Sequence, residues 1–406
     1  MSERVVTNFI DDGGLDIGCH LVSKEYVLEN YPELVPWMKT PALWTWGSGV
    51  YGRLGNNATG SLASRSSPVQ TVSNGTNWKQ VATGQSYSGG IKTDGTLWLW
   101  GFNFAGGLGD NTTANRSSPV QTVSNVTTWK SITVNGAMAA AIKTDGTLWT
   151  WGLNTYGQLG NQSITNRSSP VQTVSNVTTW KQVTNSSFQT TAAVKTDGSL
   201  WTWGFGGYGI LGNQSFVHRS SPVQTVSNVT TWKQVSMGSN FSTAVKLDGS
   251  LWTWGCGGDG QLGNNANGNS GSRSSPVQTV SNVTTWKQVS GGDRMTAAIK
   301  TDGTLWSWGY NTNRAVGDGT TIARSSPVQT VSGGTNWLKV SASGVVAGIK
   351  TDGSLWLWGS DNGGGGGDNV GVFSSGSPVQ TISAGTGWKD VCASSGLIAI
   401  RDEGEF

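Results

Sequence analysis

Residues 148–171 read LWTWGLNTYGQLGNQSITNRSSPV, and the opening phrase Leu-Trp-x-Trp-Gly recurs along the whole chain. A period in this range with strand-like content is typical of a β-propeller, whose repeats cannot bury their own faces alone. The sequence therefore predicts an all-β fold, a seven-bladed β-propeller. The seven copies are 50 to 54 residues apart and begin at Leu43, Leu97, Leu148, Leu200, Leu251, Leu305 and Leu355.

One repeat can be divided into four short strands. The candidates are residues 129–133, 139–143, 148–151 and 169–174. An Asp-Gly pair separates the second from the third, and this dipeptide favours a two-residue type I′ turn. Alternation along the third strand places Trp149 and Trp151 on the same face. Each repeat has three tryptophans, and we expect them to pack between blades, since no charged partners suited to a ligand cage stand beside them at regular spacing.

The repeats close into a ring in only one way. The last copy supplies two strands, within residues 388–391 and 397–401, and then the sequence stops. The strands it lacks are found at residues 43–46 and 68–72. We therefore expect a blade closed by strands from both termini, which removes the open sheet edge. This assigns residues 43–406 to the propeller and residues 1–42 to an N-terminal arm.

The arm has the pattern of a small docking element. Residues 5–10 and 15–22 are strand candidates around an Asp-Gly-Gly turn, and Ser23 is placed to cap a short helix over residues 24–30. The arm contains three basic and seven acidic side chains. It is too short to build a core of its own. It either docks on a partner or packs as a tail against its own propeller.

Composition narrows the range of functions. Charged residues make up 12% of the chain, about half the usual share. Most lysines and arginines occupy equivalent repeat positions and form no focused basic stripe, so we expect no nucleic-acid partner. No apolar run of membrane-spanning length and no apolar signal region are present, so we expect no membrane span and no signal peptide.

Residues suited to catalysis are scarce. The chain has two histidines and three isolated cysteines, without metal-ligand spacing or paired carboxylates in an apolar setting. We therefore expect no enzymatic activity and no cofactor. Asp259, Asp318 and Asp368 lie in Gly- and Asn-rich loops where calcium is conceivable, but they lack the periodic spacing of calcium ligands. The sequence predicts no catalytic, cofactor or metal site.

The two faces of the ring differ in sequence. The Asp-Gly hairpins and the links between repeats share one face and are nearly identical in every copy, whereas the opposite loops vary and carry large aromatics. Such loops on a rigid scaffold are where binding residues concentrate. Neutral drift is the alternative, and binding is favoured because large aromatics recur where Ser or Gly would suffice. The arm enters on the invariant face, which leaves the variable loops for display. The candidate partner-binding residues are Tyr51, Tyr87, Phe102, Phe104, Tyr156, Phe188, Phe205, Tyr208, Phe241, Arg294, Tyr310 and Arg314.

The repeat resembles that of the regulator-of-chromosome-condensation family. The pattern Leu-Trp-Thr-Trp-Gly, Tyr-Gly-Gln-Leu-Gly and Ser-Pro-Val at residues 148–171 carries this resemblance, which extends over nearly all of residues 43–406. It implies a seven-bladed propeller. The family contains a nucleotide-exchange factor, an ultraviolet-B photoreceptor and a β-lactamase inhibitor, so the fold does not decide the function. The photoreceptor's repeated Gly-Trp-Arg-His-Thr motif is missing from this sequence.

A second resemblance concerns virion proteins. The repeated Ser-Ser-Pro-Val-Gln-Thr-Val copies and the arm segment Leu-Val-Ser-Lys-Glu-Tyr at residues 21–26 look like propeller-bearing tail or fibre proteins of marine bacteriophages. This resemblance implies a virion location, with residues 1–42 anchored to other virion proteins. The variable loops would then bind a host-surface glycan or protein. The alternative is a soluble propeller that acts as a scaffold or inhibitor by binding a cellular protein.

Overall fold

The chain forms seven four-stranded antiparallel sheets and a separate two-stranded sheet. We describe it from a computed structural model. The prediction of a seven-bladed, all-β propeller is confirmed. The structure describes residues 4–10, 16–23, 41–72, 77–123, 126–174, 177–226, 229–281, 283–332, 334–361, 373–381, 386–394 and 396–402.

The first strand of each blade is the innermost, because each contacts the first strand of the next blade around a closed cycle. The first strands are β5 (Trp78–Thr83), β9 (Trp129–Asn135), β13 (Trp180–Asn185), β17 (Trp232–Met237), β21 (Trp286–Gly291), β25 (Trp337–Ser341) and β29 (Trp388–Ala393). The second strands are β6 (Tyr87–Lys92), β10 (Met138–Lys143), β14 (Thr190–Lys195), β18 (Phe241–Lys246), β22 (Met295–Lys300), β26 (Val345–Lys350) and β30 (Gly396–Asp402).

The remaining strands complete the blades and the arm. The third strands are β3 (Pro41–Gly47), β7 (Leu97–Gly101), β11 (Leu148–Gly152), β15 (Leu200–Gly204), β19 (Leu251–Gly255), β23 (Leu305–Gly309) and β27 (Leu355–Asp361). The fourth strands are β4 (Arg65–Gln70), β8 (Arg116–Gln121), β12 (Arg167–Gln172), β16 (Arg219–Gln224), β20 (Arg273–Gln278), β24 (Arg324–Gln329) and β28 (Phe373–Gln380). The arm contributes β1 (Arg4–Ile10) and β2 (Asp16–Ser23), and short 3-10 turns cover Val50–Gly52, Ser61–Ala63, Gly207–Gly209 and Gly268–Gly271.

Blades 1 to 6 are β5–β8, β9–β12, β13–β16, β17–β20, β21–β24 and β25–β28, and the closing blade is β29, β30, β3 and β4. In the closing blade β3 pairs with β30 without a break, from Pro41 opposite Asp402 to Gly47 opposite Gly396. Trp44 lies opposite Ala399, in the same sheet as Ile398 and Ile400. The predicted closure by strands from both ends of the repeats is confirmed.

The arm strands β1 and β2 form a hairpin and pair with each other from Arg4 opposite Ser23 to Ile10 opposite Asp16. The two predicted arm strands are therefore present. The helix predicted over residues 24–30 lies outside the described residues. Among the residues that the structure describes, no helix is long and apolar enough to cross a membrane.

Tryptophans fill the spaces between blades, as predicted. Trp151 is fully buried and Trp129 is 1% exposed, and their ring centroids lie 6.0 Å apart. Both pack with Trp149 against Ile91 and Leu97 of the preceding blade. Leu148, which alternates with these tryptophans, packs instead toward blade 3. Each junction between blades is therefore a separate apolar core, built from the two facing sheets.

A charged group does accompany the tryptophans, which corrects the sequence interpretation. The Lys143 ammonium lies 4.0 Å from the Trp149 ring centroid and 5.1 Å from that of Trp129, and a lysine occupies this position in blades 1 to 6. The arrangement follows from strand pairing, because Lys143 lies opposite Trp129 in the sheet. Burial lowers the pKa of Lys143, and Asp145 partly opposes this shift. The lysines cap packed rings and line no ligand cage.

The Asp-Gly hairpins are not type I′ turns. The Gly146 amide donates to the Lys143 carbonyl, and the Lys143 amide donates to the Thr147 carbonyl. Gly146 has φ +80°, whereas Asp145 keeps a negative φ, as in a type I turn followed by a glycine bulge. The Asp145 carboxylate accepts the Thr147 hydroxyl at 2.7 Å and its amide at 2.9 Å, and these hydrogen bonds lower the pKa of Asp145. This local bonding selects the turn.

Glutamines join the inner strands of neighbouring blades. Gln182 donates from Nε2 to the Val235 carbonyl at 2.9 Å and accepts the Val235 amide at 3.0 Å. The same two-bond bridge runs from Gln80, Gln234 and Gln288 to the next blade. Lys339 and Asp390 form an ion pair at the equivalent positions between blade 6 and the closing blade. Ser131 occupies this position in blade 2, and its buried Oγ has no hydrogen-bond partner among the described residues.

We expect Ser131→Gln to stabilise the propeller by about 1 kcal/mol, because it supplies two hydrogen bonds to the Val183 backbone and replaces an unpaired buried hydroxyl. Equilibrium urea unfolding at neutral pH measures the change. Gln182→Ser is the matched reverse substitution and should destabilise by a similar amount. A Ser131→Gln variant that unfolds at lower urea than the parent chain would show that these glutamines do not stabilise the junctions.

Candidate functional site

The variable loops form one face of the ring, which we call the loop face. It comprises the connections from first to second strands and the longer connections from third to fourth strands. The opposite face carries the Asp-Gly hairpins and is called the hairpin face. The described long loops are residues 48–64, 102–115, 153–166, 205–218, 256–272 and 310–323, and the short ones include residues 84–86, 136–137, 186–189, 238–240, 292–294 and 342–344.

Buried asparagines hold the long loops from within. Asn154 donates from Nδ2 to the Ser163 carbonyl at 2.9 Å and to the Thr165 carbonyl at 3.0 Å, and its Oδ1 accepts the Leu159 amide at 2.9 Å. Asn103 and Asn311 do the same in their loops. All three asparagines are at most 1% exposed. Satisfied buried amides of this kind fix the loop backbone.

Each long loop is also fixed to the next blade. The indole nitrogen of Trp203 in blade 3 donates to the Gln158 carbonyl in blade 2 at 2.9 Å. Gly157 has φ +76°, and a Cβ there would lie 2.4 Å from the Ser220 Cα. The Gln162 amide donates to the Ser220 carbonyl at 2.9 Å. The loop face is therefore a rigid surface assembled across blade junctions.

Two of the twelve candidate residues are in the core, and placing them on the loop face was wrong. Tyr87 is 1% exposed and Phe241 is fully buried. They begin β6 and β18, at the position that Met138 and Met295 occupy in other blades. Their side chains therefore point between the sheets. Burial raises the pKa of the Tyr87 hydroxyl well above its ordinary value, and this hydroxyl has no hydrogen-bond partner among the described residues.

Three other candidates form an aromatic cluster between the closing blade and blade 1. The Tyr51 and Phe102 ring centroids are 4.5 Å apart, and those of Phe102 and Phe104 are 5.1 Å apart. Tyr51 is 44% exposed and Phe104 is 55% exposed. The rings therefore pack against each other at an angle and still present a large apolar area to solvent.

A second cluster lies between blades 2 and 3. The Tyr156 ring centroid is 5.2 Å from that of Phe205 and 4.7 Å from that of His218, and Tyr208 lies 6.4 Å from Phe205. Phe205 stacks on His218 at 5.1 Å with an interplanar angle of 27°. Phe188 is exposed on the adjacent short loop. The structure thus gathers four of the candidates around one junction.

The remaining candidates lie around blade 5. Arg294 makes two hydrogen bonds of 2.7 Å to the Asp259 carboxylate of blade 4, and its guanidinium lies 4.5 Å from the Tyr310 ring centroid. Arg314 is exposed in the same long loop as Tyr310. Here the loop face is charged, and its charges are largely paired with each other.

Two of the three acidic residues considered for calcium have protein partners. Asp259 pairs with Arg294, and Asp318 accepts hydrogen bonds from Arg324 at 2.7 Å and from Thr320. Asp368 lies outside the described residues. Within the described part of the chain, no group of three or more His, Cys, Asp or Glu side chains is placed to hold a metal ion.

Sequence reasoning missed His218 and a set of exposed aliphatic residues. The His218 Nδ1 accepts the Gly206 amide at 3.0 Å, as Asn166 accepts the Asn154 amide and Asn115 the Asn103 amide. Aligning the internal repeats with each other would have placed His218 beside the aromatic residues, at the loop position of Asn166 and Asn115. The exposed aliphatic and aromatic residues lie near the outer ends of the long loops, at 61% to 95% exposure: Leu62, Ile164, Phe216, Val217 and Ile322.

The centre of the loop face is polar. A narrow opening of about 40 Å³ is lined by the ends of first strands and the short connections that follow them, from all seven blades, including Asn135, Ser187 and Asp293. A cavity of about 400 Å³ lies beside it, between Arg53, Gln85 and Asp293. The Arg53 guanidinium donates to the Gln85 carbonyl and to Ser48. Hydroxyls and amides at the centre thus contrast with the aromatic clusters farther out.

Comparison with known proteins identifies the repeat. The family model described as "Regulator of chromosome condensation (RCC1) repeat" matches residues 42–91, 145–193, 197–245, 248–299 and 302–345, more than half of the chain. The chain belongs to the RCC1 repeat family. A further model of the same repeat matches residues 129–158, 232–261 and 286–314. The resemblance to the regulator-of-chromosome-condensation repeat is confirmed.

RCC1 relatives include large and functionally different proteins. The ultraviolet-B receptor UVR8 of Arabidopsis thaliana is 30% identical over 290 residues, 70% of this chain and 64% of the receptor. The human E3 ubiquitin-protein ligase HERC2 is 26% identical over 295 residues, again 70% of this chain but 6% of the ligase. The chain therefore spans less than two thirds of the length of these curated relatives.

Two solved structures share the ring. Yeast RCC1 (Prp20), in a crystal structure with Kap60, superposes with a TM-score of 0.79 at 16% identity and covers 93% of this chain and 92% of its own. Human WBSCR16 gives a TM-score of 0.77 at 18% identity, with 89% and 99% covered. At such low identity these likenesses show the propeller fold alone.

Proposed function

We propose that this chain is a non-enzymatic RCC1-repeat propeller that binds another protein through its loop face. The observation that carries the proposal is the contrast between the faces. On the hairpin face the polar side chains bond within each hairpin. The Lys143 ammonium lies over the Trp149 ring, and the Thr147 hydroxyl donates to Asp145 and accepts the Trp149 indole N–H. On the loop face Phe104 and Tyr208 are more than half exposed on a rigid backbone. Exposed aromatics on a rigid support are the usual anchors of protein interfaces.

Two further points support a protein partner. One set of repeat lysines lies on tryptophan rings. The exposed set is spread around the ring, at most one to a blade, rather than focused into the basic stripe that a phosphate backbone needs: Lys79, Lys130, Lys181, Lys233, Lys287 and Lys389. In the crystal structure of yeast RCC1 with Kap60, an RCC1 propeller is bound to another protein. A cellular protein bound by a soluble scaffold or inhibitor fits these features.

Photo-crosslinking tests which face is used. A genetically encoded photo-crosslinking amino acid is placed at Phe104, Tyr208 or Ile322 on the loop face, or at Leu247 on the hairpin face, where the native side chain is 64% exposed. The full chain is expressed and irradiated in its own host cells. We expect one partner protein to crosslink from loop-face positions and not from Leu247. Crosslinks from Leu247 alone would refute the proposal.

A virion role is the second candidate. It is favoured by the independent β1–β2 hairpin of the arm, which pairs with no propeller strand among the described residues, and by β3, which enters the closing blade at the hairpin face opposite Asp402. In this proposal, the protein is located in the virion, where residues 1–42 attach to a phage tail, fibre or baseplate. Residues 43–406 then display their loops to a host glycan or protein. Mass spectrometry of purified virions decides it: absence of the chain refutes this role.

A further inference from the structure

We propose that binding is concentrated in one sector of the loop face, formed by residues 153–166, 186–189 and 205–218, and that this sector takes an uncharged apolar segment of the partner protein. The inference rests on the proposed function and specifies the site and the chemistry of the partner. We call these residues the aromatic sector. It comprises the long loops of blades 2 and 3 and the short loop of blade 3.

Charge distinguishes the aromatic sector from the rest of the loop face. The long loops of blades 2 and 3 contain no Asp, Glu, Lys or Arg, and neither does the short loop at residues 186–189. Each of the other five long loops contains at least one such residue: Arg53, Asp110, Asp259, Arg314 with Asp318, and Asp368. The two uncharged loops lie on neighbouring blades, so the sector is continuous around one side of the ring.

The sector also holds a concentration of exposed apolar side chains. Ile164 is 68% exposed, Phe216 63%, Val217 61%, Tyr208 52% and Phe188 48%. Tyr156, Phe205 and His218 lie among them as the stacked cluster described above. In the other long loops that the structure describes, the large apolar side chains exposed to this degree are fewer and are spaced among charged residues. Exposed apolar groups gathered in this way mark interaction sites.

The backbone under these rings is arranged before any partner arrives. A Cβ at Gly207 would lie 2.2 Å from the Phe205 ring, so glycine makes room for that ring. Tyr208 has φ +59°, a conformation that costs a non-glycine residue about 1–2 kcal/mol. Across the junction, Gln189 Oε1 accepts hydrogen bonds from Thr155 Oγ1 at 2.6 Å and from Gln158 Nε2 at 3.1 Å. Tyr51 has the same conformation in the closing blade, with φ +62°, so this turn belongs to the repeat and presents a tyrosine ring to solvent in both loops.

The chemistry of the sector defines its occupant. An ammonium group of a partner would lose its hydration there and find no opposite charge. A carboxylate would find opposite charge only at the border of the sector, where the exposed Arg167 and Arg219 follow the two long loops. An uncharged segment with aliphatic or aromatic side chains would bury its surface against Phe216, Val217 and Ile164 at no such cost. The Asn and Gln amides of the loops suit the partner's backbone. The resulting affinity should depend little on salt, unlike that of a charged interface.

The experiment uses the full chain and a yeast-displayed library of short random peptides as the probe. Peptides are enriched on the parent chain and then measured against two double variants. Tyr208→Ala with Phe216→Ala removes exposed rings from the sector. Phe104→Ala with Ile322→Ala is the matched control, because these side chains are 55% and 61% exposed on other long loops. Thermal unfolding of each variant confirms that it folds.

We expect enriched peptides to be uncharged and apolar, and to lose about tenfold or more in affinity with the sector variant while the control variant changes little. Raising NaCl from about 50 to about 500 mM should leave their affinity nearly unchanged. Tyr208→Gly provides a second check, since it removes the ring and relieves the strained φ: it should weaken binding and melt no earlier than the parent chain.

Several results would overturn the inference. The enriched peptides could be charged and bind in a salt-sensitive way, or they could lose affinity only with the control variant. The screen could also yield no peptide that prefers the parent chain over the sector variant. Finally, neutral oligosaccharides could bind the sector when peptides do not. The crosslinking experiment separates the two proposals. Partner crosslinks from Phe104 or Ile322 but not from Tyr208 would leave loop-face binding intact and reject the aromatic sector.

Discussion

Removing residues 388–406 should abolish cooperative folding of the propeller. The deletion takes away β29 and β30, and with them the buried side chains of Trp388, Val391, Leu397, Ile398 and Ile400, each at most 2% exposed. Burial of one such side chain is worth about 1.5–3 kcal/mol. Together these losses match the whole stability of an ordinary domain, about 5–15 kcal/mol. Circular dichroism during heating should show no sharp transition, and limited proteolysis should cut within the blades.

The control for this deletion removes residues 1–23 instead. These residues include β1 and β2, which pair only with each other among the described strands. The shortened chain should melt within a few degrees of the parent, because every described blade keeps its four strands. A deletion of 388–406 that still unfolds sharply near the parent temperature would mean that six blades are stable without closure.

Trp151→Ala should destabilise the propeller by about 3–5 kcal/mol. The side chain is fully buried between blades 1 and 2, and its indole nitrogen donates to the Gly107 carbonyl at 2.9 Å. The substitution leaves a cavity and an unpaired buried carbonyl. Urea unfolding measures the loss.

Phe104→Ala is the surface comparison for Trp151→Ala. This ring is 55% exposed, and its removal should change stability by no more than about 0.5 kcal/mol. Equal losses for the two variants would show that Phe104 is a packing residue. In that case the cluster of Tyr51, Phe102 and Phe104 serves the fold rather than binding.

The repeat made the architecture predictable, whereas single positions in the loops were harder to place. Seven copies of one phrase and two incomplete ends determined the number of blades and the closure, and alternation placed Trp149 and Trp151 correctly. Tyr87 and Phe241 were misplaced because a shift of one residue at a strand end moves a side chain from loop to core. Met138 and Met295 occupy the same repeat position in other blades, and these apolar residues indicate that the position is buried.

Contacts between separate segments could not be derived from patterns within one segment. The stacking of Phe205 on His218 and the pairing of Arg294 with Asp259 depend on how neighbouring loops meet. The hairpin turn was misassigned for a related reason: the Asp145 carboxylate binds Thr147 and so selects a different backbone from the one its Asp-Gly pair suggests. Alignment of the repeats with each other recovers the His218 position, but not the partner it stacks on.

The pairing of β3 with β30 has a consequence for synthesis in the cell. β3 begins at Pro41 and β30 ends at Asp402, so the ribosome releases the first partner long before the second. At about 5–20 residues per second, this interval lasts roughly 20–70 s. Throughout that time β3 offers an unpaired edge, with near-identical repeats from the same or a neighbouring chain as wrong partners. Chains caught in this interval should be the main source of aggregates, and faster translation or a chaperone that covers β3 should increase the yield of closed rings.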